Sequence, residues 1–336
     1  MLKDNLGLTL CILIAIASIG FALFSGDPYY VQVVIWVFTN AVLAVTLRFV
    51  LLIGELNIAT AAFFGIGAYT TAVTSTILDW TFFASLLAAP VIAGIISALF
   101  GWVTLRTKGP YFLLISFAFT EIVRLLYTKT EILGGNSGMI GMFPPMALND
   151  YFPAIAVTIL AAILFALYAA ERSNLGRVFK AIQNNEDIPR SVGLNVIGLK
   201  ILCFVIASAT VGLAGGVHAY TNSVIAPADF TFFVAVLALA YVKIGGEGHI
   251  AGPIIGATIL TLAGQFLHSF GPYENIFYGA IIIGLADNVL RPILVGRDTK
   301  LPDYMVLFST LGGISLMGIN GFVIGPLIAA LFITFW

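Results

Sequence analysis

Two pairs of opposite charges at helical spacing are the residues of this chain that most readily suggest chemistry. Glu121 and Arg124 lie three residues apart, and Lys243 and Glu247 lie four apart beside three glycines. Each spacing puts both side chains on one face of a helix, where they can form an ion pair. Charges inside apolar runs usually face a bundle interior or a water-filled path. We interpret both pairs as structural, and we keep Glu121 and Arg124 as candidates for a polar pathway.

A second polar group, formed by Glu55, Asn57 and Thr60, comes directly before the apolar run "AAFFGIGAY". That run carries small residues at helical spacing, a pattern typical of close contact between two helices. The small residues are Ala61, Gly65, Ala68 and Ala72. Because the polar group stands at the entrance to this contact, Glu55, Asn57 and Thr60 are further pathway candidates.

Nothing in the sequence indicates catalysis or a metal site. A membrane enzyme would need paired carboxylates, a His/Cys cluster or a metal-binding motif near one face, and the sequence has none of these. Cys11 and Cys203 lie in apolar runs, where a free cysteine is normally buried. The phosphate-binding pattern G-x-x-x-x-G-K-[ST] is missing. We therefore expect a protein that is not an enzyme, binds no cofactor and does not hydrolyse ATP itself.

The composition predicts a protein that crosses a membrane many times. Of 336 residues, 60% are hydrophobic and 9% are charged, whereas a soluble domain has about 25% charged residues. A net charge of -1 without a long basic run argues against a nucleic-acid partner. The expected fold is an all-α polytopic membrane protein, with about ten transmembrane helices plus a C-terminal apolar hairpin. Apolar runs fall at about 6–25, 31–53, 57–78, 80–104, 111–128, 152–170, 199–221, 231–247, 250–269, 273–290, 304–318 and 320–336.

Basic residues in the connections predict the orientation of these spans. With the N-terminus in the cytoplasm, nearly all of them fall on the cytoplasmic side, as the positive-inside rule requires, and only Lys129 falls outside. The cytoplasmic group is Lys3, Arg106, Lys108, Arg172, Arg177, Lys180, Arg190, Lys200, Arg291, Arg297 and Lys300.

The longest polar stretch, "SNLGRVFKAIQNNEDIPRSVGLN" at 173–195, falls on this cytoplasmic side. Its first part predicts a short amphipathic helix with Val178, Phe179 and Ile182 on the apolar face, ended by Pro189. The alternative is a plain solvated loop, because charged stretches are usually solvated.

Four stretches, taken in order, carry a resemblance to a known family. They are "AAFFGIGAYTTAV" at 61–73, "RTKGPYFLLISFAFTEIVRL" and "LGGNSGM" within 106–139, the polar stretch with its following apolar run at 173–220, and "IGGEGHIAGPIIGA" at 244–257. Over about residues 6–283 the chain resembles branched-chain amino acid ABC importer permeases of the LivM type.

This resemblance implies the permease subunit of an ATP-driven importer for branched-chain or other hydrophobic amino acids, in the inner membrane. The implied partners are a second, homologous permease chain, two cytoplasmic ATP-binding subunits, a periplasmic substrate-binding protein and the lipid bilayer. ABC importer permeases contact their ATPase through a coupling helix with the pattern E-A-A, three residues, then G. Asp187-Ile188-Pro189 and Gly193 match it in part, with Asp in place of Glu and Pro in place of the second Ala. The coupling loop would be 171–198, and its candidate residues are Gly176, Arg177, Ala181, Ile182, Glu186, Asp187 and Gly193.

Two alternatives to this function stay open. Importers of urea or short amides have similar permeases. An ATP-independent channel or exporter is favoured only by residues 284–336, which resemble the autoinducer-2 exporter (PerM-like) family through "DNVLRP", "VGR" and "GFVIGPLIAAL". We interpret the chain as a fusion of a permease domain, 1–283, and an exporter-family-like membrane hairpin, 284–336. A family member with an unusual tail of its own is the other possibility.

The orientation leads to a labelling experiment. A cysteine introduced at Ser173 should react with a membrane-impermeant maleimide only from the cytoplasmic side, and one at Asn136 only from outside, because the basic loops stay in the cytoplasm. Inverted and right-side-out vesicles provide the two measurements. Labelling of Asn136→Cys from the cytoplasm would show that the predicted number of spans is wrong.

Overall fold

A computed structural model describes residues 27–107 and 110–268, and these form a bundle of helices. In this part of the chain the helices are α1 (Pro28–Leu51), α2 (Thr60–Thr76), α3 (Phe82–Thr104), α4 (Pro110–Lys129), α5 (Phe152–Arg172), α6 (Asn174–Asn184), α7 (Asp187–Ser191), α8 (Val196–Asn222), α9 (Phe232–Gly245) and α10 (Ala251–His268). Two short antiparallel strands, β1 (Met139–Ile140) and β2 (Val224–Ile225), pair Met139 with Ile225. The predicted all-α polytopic fold is confirmed.

Five of the described helices, α1, α3, α4, α5 and α8, are long and apolar enough to cross a membrane. The others in the bundle are shorter. Helix α9 has 14 residues, which rise by about 21 Å, less than the roughly 30 Å of a bilayer core. The predicted count of about ten transmembrane helices therefore stays a prediction.

Several expectations concern residues outside the described ranges. They are the first span at 6–25, Lys108, the later spans and the C-terminal hairpin at 284–336. The chain divides into two units, Met1–Glu274 and Asn275–Trp336, and every described residue belongs to the first.

Helix α1 occupies the centre of the described bundle. Asp27 caps its start, where the carboxylate accepts a hydrogen bond from the Tyr29 N–H at 2.9 Å, and Pro28 takes the first helical position, where no N–H is needed. In an apolar stretch of 18 residues within α1, 78% is buried, whereas 33–44% is buried in the corresponding stretches of the other long helices. Any charge near the end of α1 is therefore held inside protein and away from lipid.

Close backbone contact joins α2 to α8, but at Gly67, which is not one of the small residues named for this contact; a Cβ atom on Gly65 would instead meet the Phe230 side chain. A Cβ atom on Gly67 would lie 1.9 Å from the Gly212 carbonyl oxygen, and one on Gly215 would lie 2.0 Å from that of Phe64. Only glycine allows the two backbones to approach this closely. Nearby, Phe63 and Phe112 pack edge-on against Phe204 of α8. This contact fixes where α8 begins relative to the residues before α2.

The connections collect at two ends of the bundle. At one end Arg48 of α1 binds Glu171 of α5 and the Glu247 carbonyl after α9, and Lys200 of α8 binds Glu55, which follows α1. We call this the basic end. At the opposite end the Gly141 N–H donates to the Ser223 carbonyl beside β1 and β2, and Gln32 donates to Asn222. The sequence predicts that successive spans from 31–53 onward run in opposite directions, and the positions of these connections agree with that. The assignment of the basic end to the cytoplasm stays a prediction.

Candidate functional site

The segment 173–195 at the basic end forms two short helices. Helix α6 ends at Asn184, and the Asn185 side chain then accepts a hydrogen bond from the Asp187 N–H at 2.9 Å, which starts α7. The expectation that Pro189 ends a single helix is wrong. Pro189 lies in the first turn of α7, where a missing N–H costs no hydrogen bond.

Gly193 ends α7 in the left-handed conformation, with φ +82°. Its N–H donates to the Arg190 carbonyl at 3.1 Å, and the Leu194 N–H donates to the Pro189 carbonyl at 3.1 Å. These two bonds are the Schellman pattern, which strongly favours glycine at this position. The glycine of the sequence motif therefore has a backbone role here: it turns the chain from α7 back toward α8.

Helix α6 packs its apolar face against its own bundle. Phe179 is fully buried with its ring 5.9 Å from that of Phe49, and Ile182 is 2% exposed. A Cβ atom on Gly176 would lie 1.9 Å from the Glu171 carbonyl oxygen, so α6 turns tightly away from α5. Gly176 and Ile182 are therefore buried against the bundle, and their role in contact with a partner stays a prediction.

Arg48, near the end of α1, is the centre of a buried ion-pair cluster that we call the Arg48 cluster. Its guanidinium donates to both carboxylate oxygens of Glu171, at 2.6 and 3.0 Å, and to the Glu247 carbonyl at 2.7 Å. Lys180 of α6 binds the same carboxylate at 2.9 Å. The Arg48 and Glu171 side chains are 3% and 9% exposed. The planar guanidinium thus holds together α1, α5 and the turn after α9.

Lys200, near the start of α8, is the centre of a second cluster, the Lys200 cluster. Its ammonium binds Glu55 at 2.9 Å and Glu186 at 2.7 Å. Lys200 and Glu55 are 3% and 4% exposed, whereas Glu186 is 19% exposed. One buried cation therefore joins the segment 173–195 to the residues between α1 and α2. Glu186, a coupling candidate, and Glu55, a pathway candidate, meet at this cation.

The residues between α1 and α2 form an irregular segment, 52–59, that is buried apart from Gly54. Non-helical backbone at membrane depth is tolerated only inside protein or beside a water-filled cavity. The Thr60 hydroxyl donates to the Asn57 carbonyl at 3.0 Å, and the Thr120 hydroxyl donates to the Ile58 carbonyl at 3.4 Å. The buried Asn57 side-chain oxygen has no hydrogen-bond partner among the described residues.

The pathway candidates thus belong to two different places. Glu55, Asn57 and Thr60 lie in or beside the segment 52–59. Glu121 and Arg124 form the ion pair that their spacing predicts, at 2.8 Å, on the partly exposed face of α4. Lys243 and Glu247 are also paired. The geometry places these residues, and their roles stay predictions.

A groove of about 300 Å³ separates the segment 52–59 from the end of α6. It is lined by Ile53, Gly54, Glu55, Ile182, Gln183, Asn184, Asn185, Glu186 and Asp187. Both carboxylates of the Lys200 cluster come from residues that line this groove, which makes the cluster the ionic connection between its two sides.

Of the remaining coupling candidates, Arg177, Asp187 and Gly193 are exposed and Ala181 is half-buried. The two most exposed large apolar residues of this segment were not predicted as contacts, Ile188 at 61% and Val192 at 72% exposed. The sequence analysis also missed Arg48, Glu171 and Lys200. For Arg48 a signal exists, because a charge so near the end of an apolar run needs a buried partner. No local pattern identifies that partner, which lies 123 residues away.

Residues 29–286 match the family described as branched-chain amino acid transport system / permease component. The chain is 27% identical, over 260 residues, to the high-affinity branched-chain amino acid transport system permease protein LivM of Salmonella typhimurium, and 28% identical to that of Escherichia coli K12. These matches cover 68% of this chain and 61% of each relative, so the chain spans less than two thirds of their length. The ribose import permease protein RbsC of Haemophilus influenzae is 24% identical over 307 residues, 86% of this chain and 94% of that protein. No solved structure matches the chain.

Removal of the guanidinium tests the Arg48 cluster. The variant Arg48→Met should lower the free energy of unfolding by about 3 kcal/mol, because it leaves the Glu171 carboxylate buried without its main partner. Arg48→Lys should recover only part of this loss, since one ammonium cannot reproduce the bidentate geometry. Unfolding in detergent micelles provides the measurement.

The matched control for this experiment is Arg190→Met. Arg190 is 58% exposed and paired with Glu186 and Asp187 at 3.8 and 3.4 Å, so its removal should change the free energy of unfolding by at most about 1 kcal/mol. Equal losses for Arg48→Met and Arg190→Met would show that the buried cluster does not hold the bundle together.

Proposed function

The chain belongs to the family of permease components of branched-chain amino acid transport systems, and from this premise we propose that it is the transmembrane permease subunit of an ATP-driven importer. The proposed cargo is a branched-chain or other hydrophobic amino acid. The observation that carries the proposal is the family match over residues 29–286, which includes the segment 173–195 at the basic end.

The geometry of the segment 173–195 supports a role in contact with an ATPase. Helix α6 is anchored to the bundle by its buried face, while α7 and its turn present apolar side chains to solvent. Ile188 and Val192 are exposed beside the charged residues Asp187 and Arg190. Exposed apolar side chains with a polar rim are typical of protein interfaces. A segment anchored on one face and exposed on the other can transmit force from a partner.

The proposed partners follow from the same function. Energy would come from two ATP-binding subunits on the cytoplasmic side, since the chain has no phosphate-binding loop of its own. A second permease chain would complete the translocation path, and a periplasmic binding protein would deliver the cargo. Helix α3 offers an apolar surface for lipid or for the second chain, with Leu87, Ile95 and Leu99 each more than half exposed.

The substrate class has two further candidates. Similarity to ribose import permease proteins over 86% of this chain favours a sugar as the second candidate. A urea or short-amide importer is the third, on the resemblance of those permeases alone. Higher identity to LivM than to RbsC puts amino acids first.

We also propose that residues 284–336 are an addition to the permease and belong to the exporter-like family that they resemble. The proposal rests on the sequence motifs of residues 284–336; the family match ends at residue 286, and the proposed permease domain ends at 283. An ATP-independent exporter would follow only if these residues dominated the function of the chain.

Charge substitution in α7 tests the contact with the ATPase. Ile188→Asp and Val192→Asp should each leave the chain inserted but weaken copurification of the ATP-binding subunits by at least about tenfold, or about 1.4 kcal/mol, because an unpaired charge would be buried at the interface. Uptake should fall in parallel. Affinity purification from membranes and uptake into vesicles give the two measurements.

The matched control is Ile140→Asp, which introduces the same charge at a residue 70% exposed at the opposite end of the bundle. It should leave copurification of the ATP-binding subunits unchanged. Normal copurification with both α7 variants would contradict the proposed contact.

Uptake of labelled leucine, ribose and urea by the wild-type complex separates the three substrate classes.

Truncation after Arg291 tests the proposed addition at the C-terminus. The shortened chain should insert and support near-normal uptake with its partner subunits, because the proposed permease domain is intact. The full chain and the truncated chain are compared for membrane level and initial uptake rate. Loss of insertion or of uptake would show that the tail is an integral part of the permease.

A further inference from the structure

The Lys200 cluster places one buried ammonium between the segment 173–195 and the buried segment 52–59. Glu186 belongs to the segment 173–195, and Glu55 belongs to the buried segment 52–59. The ammonium lies within 2.7 Å of the first carboxylate and 2.9 Å of the second. The groove of about 300 Å³ lies between these same segments.

We propose that Lys200 is a positioning residue through which movement of the segment 173–195 changes the position of the segment 52–59. This inference rests on the proposed function, because it assigns the route by which work done on α7 would reach the interior of the bundle. It concerns a connection within this chain and not the contact with the ATPase itself.

The energetics of burial make such a connection stiff. Lys200 is 3% exposed, and a buried ammonium is strongly disfavoured without carboxylate partners. If Glu186 moved outward with α7, Lys200 would be left with Glu55 alone. The position of Glu186 is therefore coupled to the interaction that holds Glu55 in place.

The Arg48 cluster is a weaker candidate for the same role. Its contact with the segment 173–195 is made by Lys180, which is 49% exposed. Exposed ion pairs contribute little because water and salt screen them. Its buried contacts join α1, α5 and the turn after α9. Lys200, in contrast, makes a buried contact with Glu55 of the segment 52–59.

Two single substitutions cut the connection from its two sides. Glu186→Gln removes the carboxylate on the side of the segment 173–195, and Glu55→Gln removes the one on the side of the segment 52–59. Each variant keeps one carboxylate beside Lys200, so neither leaves a buried charge without a partner. Glu55 is 4% exposed and therefore cannot touch the ATPase directly in this conformation.

The complex of this chain with its second permease, ATP-binding subunits and binding protein, reconstituted in liposomes, provides the assay. Both variants should lower the maximal uptake rate by about tenfold, which corresponds to about 1.4 kcal/mol in the barrier of the limiting step. Assembled complex and ATP hydrolysis should stay within about twofold of wild type, and so should the substrate concentration that gives half-maximal uptake.

Asp79→Asn is the matched control. It removes one exposed carboxylate at the opposite end of the bundle, at a residue with φ 51° that asparagine also adopts readily. Uptake by this variant should equal that of wild type.

Four results with the variants would overturn the inference. Uptake by both variants could be unchanged, or it could fall only in proportion to the amount of assembled complex, which would make the cluster purely structural. Loss with Glu186→Gln alone would indicate a direct effect on the ATPase contact. A raised half-maximal concentration with Glu55→Gln would mean that Glu55 lines the path. Absence of ATP-dependent uptake by the wild-type complex would instead contradict the proposed function, and the inference with it.

Discussion

The bundle depends on keeping two cations, Arg48 and Lys200, inside protein with their carboxylates. Each is 3% exposed, and each would be strongly destabilising without a partner. Glu171 lies 123 residues from Arg48, and Glu55 lies 145 residues from Lys200, so these two ion pairs exist only if several helices have reached their final places. Apolar packing alone specifies the arrangement of the helices only loosely, because lipid tails contact apolar helix surfaces as favourably as other helices do. The buried ion pairs therefore favour one arrangement over the others.

Close packing of α2 on α8 makes that selection possible. The glycines at the contact bring the backbones together, with no room for a Cβ atom between Gly67 and Gly212. Lys200 lies three helical turns before Gly212 on α8, and the segment 52–59 leads directly into α2. The helix contact thus determines how far Glu55 is from Lys200. A larger residue at Gly67 would separate the helices and, through them, the buried ion pair.

Much of the fold and part of the site could be predicted from the sequence. The apolar runs predict α1 and α8, and the small residues of α2 predict a close helix contact but not its position at Gly67. The pairing of Glu121 with Arg124 follows from their spacing. The two clusters could not be predicted, because Arg48 meets Glu171 and Lys200 meets Glu55 only through tertiary structure. The helix predicted to end at Pro189 ends earlier, because the Asn185 side chain begins a new turn that local periodicity does not reveal.

Side-chain exposure increases outward in both clusters, and it reaches a much higher value in the Arg48 cluster than in the Lys200 cluster. This difference determines how firmly each cluster holds the segment 173–195. In the Lys200 cluster exposure rises from 4% at Glu55 to 19% at Glu186, and in the Arg48 cluster it rises from 9% at Glu171 to 49% at Lys180. Water can replace Lys180 at small cost because this side chain is half exposed, whereas Glu186 binds a buried ammonium for which water is a poor replacement. The Arg48 cluster therefore holds the segment 173–195 weakly, and the Lys200 cluster holds it firmly. A partner that pulled on α7 would loosen the contact of Lys180 first and would move Glu186, Lys200 and Glu55 together.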